Sequence, residues 1–403
     1  MDVSRIKFLD GFRFILALWV VGGHFYDHIG GPKTYKLPEF FLMTLNKPII
    51  AVYGFMIITG FLMMYNYLAR QKSEPPNSRE TIIKFWLRRL FRLYPVYIIM
   101  IVIAFFTFVK VTQIDQQNLV FFTGSNVTQW GFARSAAQPG IADLISHIFL
   151  IHGLFPGFHD SILGVAWSLS LEMQFYFLFP FLFLFIFAKK SLQRKRLVLF
   201  LILSVLLALV SPKILYILTN LTSFPAFRLP SVLTVTLPLF LFGMTSAGVK
   251  LGRISPVYLC ISLFLLLPFQ LFVTNAITAL FLLFLFLDEL RPAFPDFLFK
   301  ILAFFRSLLS GKIAGYGADI SYSLYLVHPL LMGLIVHQTI FYSKAFNLSK
   351  LSISLIALFL ILLTCFTLCN LIYRFIEKPL IGIGKKIVDQ IAVKQPDELN
   401  VVK

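Results

Sequence analysis

Residues 167–190, WSLSLEMQFYFLFPFLFLFIFAKK, decide the fold class. A polar opening gives way at Phe175 to an unbroken apolar run that stops at the lysine pair Lys189 and Lys190. A helix crossing the hydrocarbon core of a bilayer needs about 20 such residues, with a range of roughly 17–25 once tilt is allowed. The same signature recurs along the chain. Candidate spans fall at 13–29, 47–69, 93–110, 167–188, 197–218, 230–250, 255–272, 273–290, 319–341 and 351–376. The seventh and eighth are separated only by Thr274 and Asn275, and the apolar stretch from Ile141 to Leu154 is too short to span, so it reads as interfacial or re-entrant. The expectation is an all-α integral membrane protein with about ten transmembrane helices, an even number that places both termini on one side.

Composition agrees. Of 403 residues, 58% are hydrophobic and 13% charged, with 47 Phe, and the mean hydropathy is +0.84. Soluble domains carry about 25% charged residues, and disorder requires low hydrophobicity. The excess of 36 Lys and Arg over 18 Asp and Glu does not indicate nucleic acid. With ten spans, 27 of the basic residues fall on the side of the N-terminus and 9 on the other. That is the pattern of cytoplasmic loops in a multi-pass protein of the cytoplasmic (inner) membrane. Cys260, Cys365 and Cys369 all lie in apolar runs and form no disulfide framework or zinc pattern. The first apolar run lacks a following cleavage site and reads as a retained span. Residues 1–388 form one membrane domain, with a long outer loop at 111–166 carrying His147, His152 and His159, and 389–403 form a polar cytoplasmic tail.

Ionisable groups inside spans are costly and therefore functional candidates. Arg13 and His24 lie eleven residues apart on the first span. Eleven helical steps return to nearly the same face, about 16 Å further along the axis. Glu172 interrupts the polar opening of the fourth span, and His328 sits midway along the ninth. Arg88, Arg89 and Arg92 cluster just before Pro95, and guanidinium forks suit phosphate. Each has a plainer reading: a snorkelling or positive-inside arginine, an interfacial histidine, a histidine satisfied by a neighbouring helix. His24 and His28 stand at i, i+4, but no acidic or histidine boxes accompany them, so no metal is expected. Nucleotide-loop, nucleophile-elbow and HExxH motifs are absent from the sequence.

Six motifs in order resemble the acyltransferase-3 family of membrane O-acyltransferases. They are Leu9-Asp10-Gly11-Phe12-Arg13 running to His24, Gly54–Leu62 with Thr59, Arg88–Pro95, Trp167–Tyr176, Ser321–His328 and Glu377-Lys378-Pro379. They cover nearly the whole chain. Two positions depart from the family pattern: Phe14 replaces a small residue after Arg13, and Met173 stands where a second acidic residue is frequent. A C-terminal esterase-like domain found in some members is not seen, so the resemblance is to the membrane-only form.

The resemblance implies transfer of an acyl group, most often acetyl from acetyl-CoA, onto a hydroxyl of a carbohydrate such as a cell-surface or exported glycan. No bound cofactor is implied; acetyl-CoA or another acyl-CoA is a co-substrate, and membrane lipid is the surroundings. On that reading His24 and Glu172 are the catalytic candidates. Arg13, Arg88, Arg89 and Arg92 would bind the donor. Asp10, Trp167, Ser170, Tyr322 and His328 would serve the acceptor or line the cavity. His24 fits a general base because an imidazole titrates near working pH, and an acyl-His intermediate is equally compatible. The competing readings are a transporter or flippase for a glycan or lipid-linked sugar, a non-catalytic scaffold, and an acyltransferase acting on lipid or protein.

Overall fold

A computed structural model describes residues 6–125, 137–187, 191–222, 227–267 and 272–392, and every regular element among them is helical. In chain order the α-helices are α1 Phe8–His28, α2 Glu39–Leu45, α3 Ile49–Arg70, α4 Arg79–Thr123, α5 Ile141–Ile148, α6 Trp167–Phe187 and α7 Gln193–Thr222. Then come α8 Leu233–Lys250, α9 Pro256–Leu266, α10 Phe272–Leu285, α11 Asp296–Leu309, α12 Lys312–Ser343, α13 Lys350–Ile372 and α14 Lys378–Gln390. Ala188, Lys189, Lys190, Arg134 and the tail from residue 393 lie outside the described residues.

Eight of these helices are long and apolar enough to cross a membrane. They coincide with eight of the ten expected spans. The other two, 255–272 and 273–290, hold the shorter apolar helices α9 and α10, of 11 and 14 residues. Hydropathy registers how apolar a stretch is and not where its helix ends; residues 268–271, between α9 and α10, lie outside the described residues.

The same limitation misplaces the end of the third span. Instead of entering a loop at residue 111, α4 continues unbroken for 45 residues, about 67 Å at 1.5 Å per residue. Gln113, Asp115, Gln116, Gln117 and Asn118 lower the hydropathy but do not break a helix. Termination waits for Gly124, which takes φ +73° and donates its N–H to the Val120 carbonyl, the αL stop that glycine adopts most easily. The expected outer loop therefore begins after Thr123. Its 141–154 stretch forms the short helix α5, whose Ile141 and Ile145 are exposed, followed by a turn of 3-10 helix at His152–Leu154.

Helices in a bilayer gain little from hydrophobic burial and associate by close packing at small residues. A Cβ on Gly60 of α3 would lie 2.1 Å from the Phe240 carbonyl oxygen of α8, and one on Gly243 of α8 2.1 Å from the Ile57 oxygen. These two glycines let α3 and α8 touch backbone to backbone. α1 and α12 run parallel: Phe14 packs on Gly317, where a Cβ would meet the ring at 2.2 Å, and ten residues on His24 meets His328. The bulky Phe14 that departs from the family pattern thus fills the space left by a glycine on the facing helix.

Prolines inside spans free a carbonyl one turn earlier, and a neighbour must supply the missing donor. Pro180 deprives the Tyr176 carbonyl of its intrahelical N–H, and the Trp86 indole N–H of α4 takes that place at 3.0 Å. This bond ties α6 to α4 directly beside the charged cluster.

Candidate active site

α1, α3, α4, α6, α8 and α12 surround a cavity. Three guanidinium groups line it, Arg13 from α1 and Arg89 and Arg92 from α4, together with one carboxylate, Glu172 from α6. Hydroxyls come from Thr59, Ser168, Tyr176, Ser321, Tyr322 and Tyr325. The remaining wall is apolar, including Met56, Leu62, Leu169 and Phe240. With more arginines than carboxylates on its wall, the cavity suits a ligand that is anionic at one end and apolar along its length.

Each charged group is held by identifiable contacts. Glu172 accepts hydrogen bonds from the Thr59 hydroxyl at 3.0 Å and from the Tyr176 hydroxyl one turn further along α6. Arg13 interacts electrostatically with Arg92, Glu172 and Asp10. The Arg89 guanidinium lies over the Phe85 and Tyr176 rings at 5.6 and 5.7 Å, and its buried Nε has no hydrogen-bond partner. Tyr322 donates its hydroxyl proton to the Leu93 carbonyl at 2.5 Å, which fixes α12 against α4 between the arginines. Behind them Glu377, in the π-helical turn Tyr373–Glu377, accepts from Ser323 at 3.0 Å and interacts with Arg92 and Arg13.

Towards the other end of the bundle stands a histidine pair. The His24 and His328 rings are 5.3 Å apart and inclined by 37°. Tyr325 joins the pair to the cavity: its ring is 6.2 Å from His328, while its hydroxyl contacts Ser168 at 2.7 Å and the Val165 carbonyl at 3.0 Å. His328 lies 3.0 Å through Nδ1 from the Leu324 carbonyl. A carbonyl can only accept, so Nδ1 carries the proton and Nε2 of the neutral ring carries the lone pair. That Nε2 is buried without a hydrogen-bond partner.

The sequence candidates separate into three groups. Arg13, Arg89, Arg92, Glu172 and Tyr322 line the cavity, and His24 and His328 meet each other. Arg88 points elsewhere, into a bidentate ion pair with Glu74 beside a smaller cavity that Arg70 and Arg89 also line. Trp167 and Ser170 are buried at the start of α6 away from the cavity wall, and Asp10 stands behind Arg13. Ser170 binds the outer loop, donating to the Leu150 carbonyl at 2.7 Å and accepting from the Gly153 N–H at 3.1 Å. Tyr325, Thr59, Ser168 and Glu377 acquire a place that single-residue reasoning did not assign. Tyr325, Thr59 and Ser168 are polar groups in apolar spans, and that was the available signal; Glu377 lies just past the last expected span.

No curated protein and no solved structure matches this chain. The acyltransferase-3 family model, described as an acyltransferase domain, matches residues 6–374. That range takes in every residue of the arginine-lined cavity and of the histidine pair. With the motifs in family order, a helical multi-pass fold and a buried polar cavity among the spans, the chain belongs to the acyltransferase-3 family and is a multi-pass membrane acyltransferase.

Proposed function

We propose that the protein transfers an acetyl group from acetyl-CoA to a hydroxyl of a carbohydrate, with donor and acceptor approaching from opposite ends of the bundle. The observation that carries this reading is the distribution of charge: Arg13, Arg89 and Arg92 gather at one level of the cavity, and His24 and His328 lie about 16 Å further along α1. Phosphates of the donor pair with the guanidiniums, and the Arg89 Nε without a partner is a ready donor. The pantetheine arm lies along the apolar wall towards the histidines. His24 removes the acceptor's hydroxyl proton as the new C–O bond forms and the C–S bond breaks, the sulfur leaving with its electron pair. Glu172, held by Thr59 and Tyr176, offsets part of the positive charge that Arg13 and Arg89 bring to the cavity. By the charge asymmetry of its loops, the arginine end faces the cytoplasm, together with both termini, in an inner membrane.

The test is acetyl-CoA binding to the detergent-purified protein. Wild type and His24→Ala are expected to bind, and the double variant Arg89→Ala/Arg92→Ala is not. Folded wild-type protein that fails to bind acetyl-CoA would remove the donor assignment and favour a glycan transporter.

A further inference from the structure

A line of titratable groups continues past His24 to the far end of the bundle. His24 and His28 are one turn apart on the same face of α1, where side chains are neighbours. His28 Nδ1 lies 3.4 Å from Asp115 Oδ1 on the long outward extension of α4. Both side chains are nearly buried, at 6% and 7% exposure. Asp115 is pressed onto α12 at Gly333, where a Cβ would come within 2.0 Å of Oδ1. The next turn of α4 is pinned to the same place. Asn118 donates to the Gly333 carbonyl at 2.8 Å, and its own oxygen lies 3.2 Å from His337 Nδ1. A buried carboxylate facing a buried imidazole is costly unless it has a purpose, and binding at the arginine end makes no use of it.

We propose that His24, His28 and Asp115 form a proton path from the reacting hydroxyl to the end of the bundle opposite Arg13. The proposal rests on the transferase reading above. The hydroxyl proton passes to His24 while the C–O bond forms and the C–S bond breaks. The thiolate that leaves takes a proton from water as CoA withdraws towards the arginine end. His24 hands its proton to His28, whose cation the Asp115 carboxylate stabilises, and His28 releases it to water at the end of α1. One proton leaves the acceptor and one joins the sulfur, so the chemistry balances and His24 returns to its neutral form. The groups facing this path are His328 and Tyr325 from α12 and Asp115 and Asn118 from α4, with His337 behind Asn118. His28 and Asp115 act through His24 and are positioning residues.

The test is thiol release from acetyl-CoA by the full chain in native membranes, which carry the acceptor, with His24→Ala membranes as background. His28→Ala and the near-isosteric Asp115→Asn are expected to slow turnover by about ten- to a hundred-fold at unchanged KM. Their rates should rise with imidazole or buffer concentration, while the wild-type rate should not. Retained acetyl-CoA binding at the arginine end, about 22 Å along α1 from His28, shows that each variant is folded. Variants as fast as wild type overturn the path, and so do slow variants that imidazole does not rescue. A wild type that neither binds acetyl-CoA nor releases thiol above background overturns the transferase reading and the path together.

Discussion

Acid should open the outer segment at residues 141–166 before it disturbs the helical bundle. His147 and His152 stack there with ring centroids 3.9 Å apart and planes 6° from parallel, both fully buried. His152 Nε2 lies 3.1 Å from the Ala166 carbonyl, so Nε2 carries the proton, and its Nδ1 has no partner. A second proton would sit at Nδ1, buried and against the neighbouring imidazole. Burial above all, and then His147, push the His152 pKa down to about 2. In the open segment the ordinary value of about 6.5 applies. The open state therefore binds the proton. Stability is whole above pH 6.5 and is lost as pH falls from there towards 2. Each pH unit in that window costs about 1.4 kcal/mol, which gives about 2 kcal/mol at pH 5, or roughly a thirty-fold larger opening constant. His159, lowered by burial, acts in the same sense. Hydrogen exchange of peptides from 141–166, corrected for intrinsic rate, reads this opening at pH 7.5 and pH 5. His152→Gln keeps an N–H for Ala166 and cannot titrate, so its opening free energy should vary with pH less than that of wild type. A wild-type change below about 0.5 kcal/mol would refute the reasoning, because a burial-driven shift of this size predicts about four times as much.

Gly317→Ala should destabilise the protein by about 1–3 kcal/mol by overpacking, since the new Cβ falls 2.2 Å from the Phe14 ring. Phe14→Ala in the same chain should recover most of the loss in a thermal-unfolding assay. Ser170→Ala should strip the Leu150 carbonyl and the Gly153 N–H of a partner at a cost of about 1–3 kcal/mol, seen as faster exchange in the outer segment with acetyl-CoA binding retained. Glu74→Gln removes the carboxylate that pairs with Arg88. Burial alone would raise that carboxyl, but Arg88, with Arg70 and Lys84 behind it, holds it below the usual range. Its contribution to stability is present above the unfolded pKa of about 4.3 and fades only in stronger acid. Wild type and variant should therefore differ in thermal stability at pH 7 and converge below pH 4.

How far the site was legible depends on what each residue's signal measured. Arg13, His24, Glu172 and His328 were visible because a charge or imidazole within a lipid-length run is expensive wherever the other helices lie. The eleven-residue spacing put Arg13 and His24 on one face, and the structure gives each its neighbours along that face: Arg92 and Glu172 for Arg13, His328 for His24. Arg88 shows the limit of such reasoning. Its spacing on α4 is as good as that of Arg92, yet Glu74 from the preceding turn captures it, a contact that no periodicity encodes. Asp115 was hidden because falling hydropathy reads as the end of a helix.

By itself, the sequence determined that the chain is helical and membrane-embedded, because apolar runs of lipid length must satisfy their backbone hydrogen bonds internally. It also determined the family, because six motifs in order do not depend on knowing any contact. Tertiary structure alone decided which polar groups meet. Glycine contacts at Gly60, Gly243 and Gly317 set how closely the helices approach, and that approach brings Arg89 to Tyr176, Tyr322 to Leu93 and His24 to His328. Contacts between distant segments depend on helix separation and rotation, which are properties of the packed bundle and of no single span.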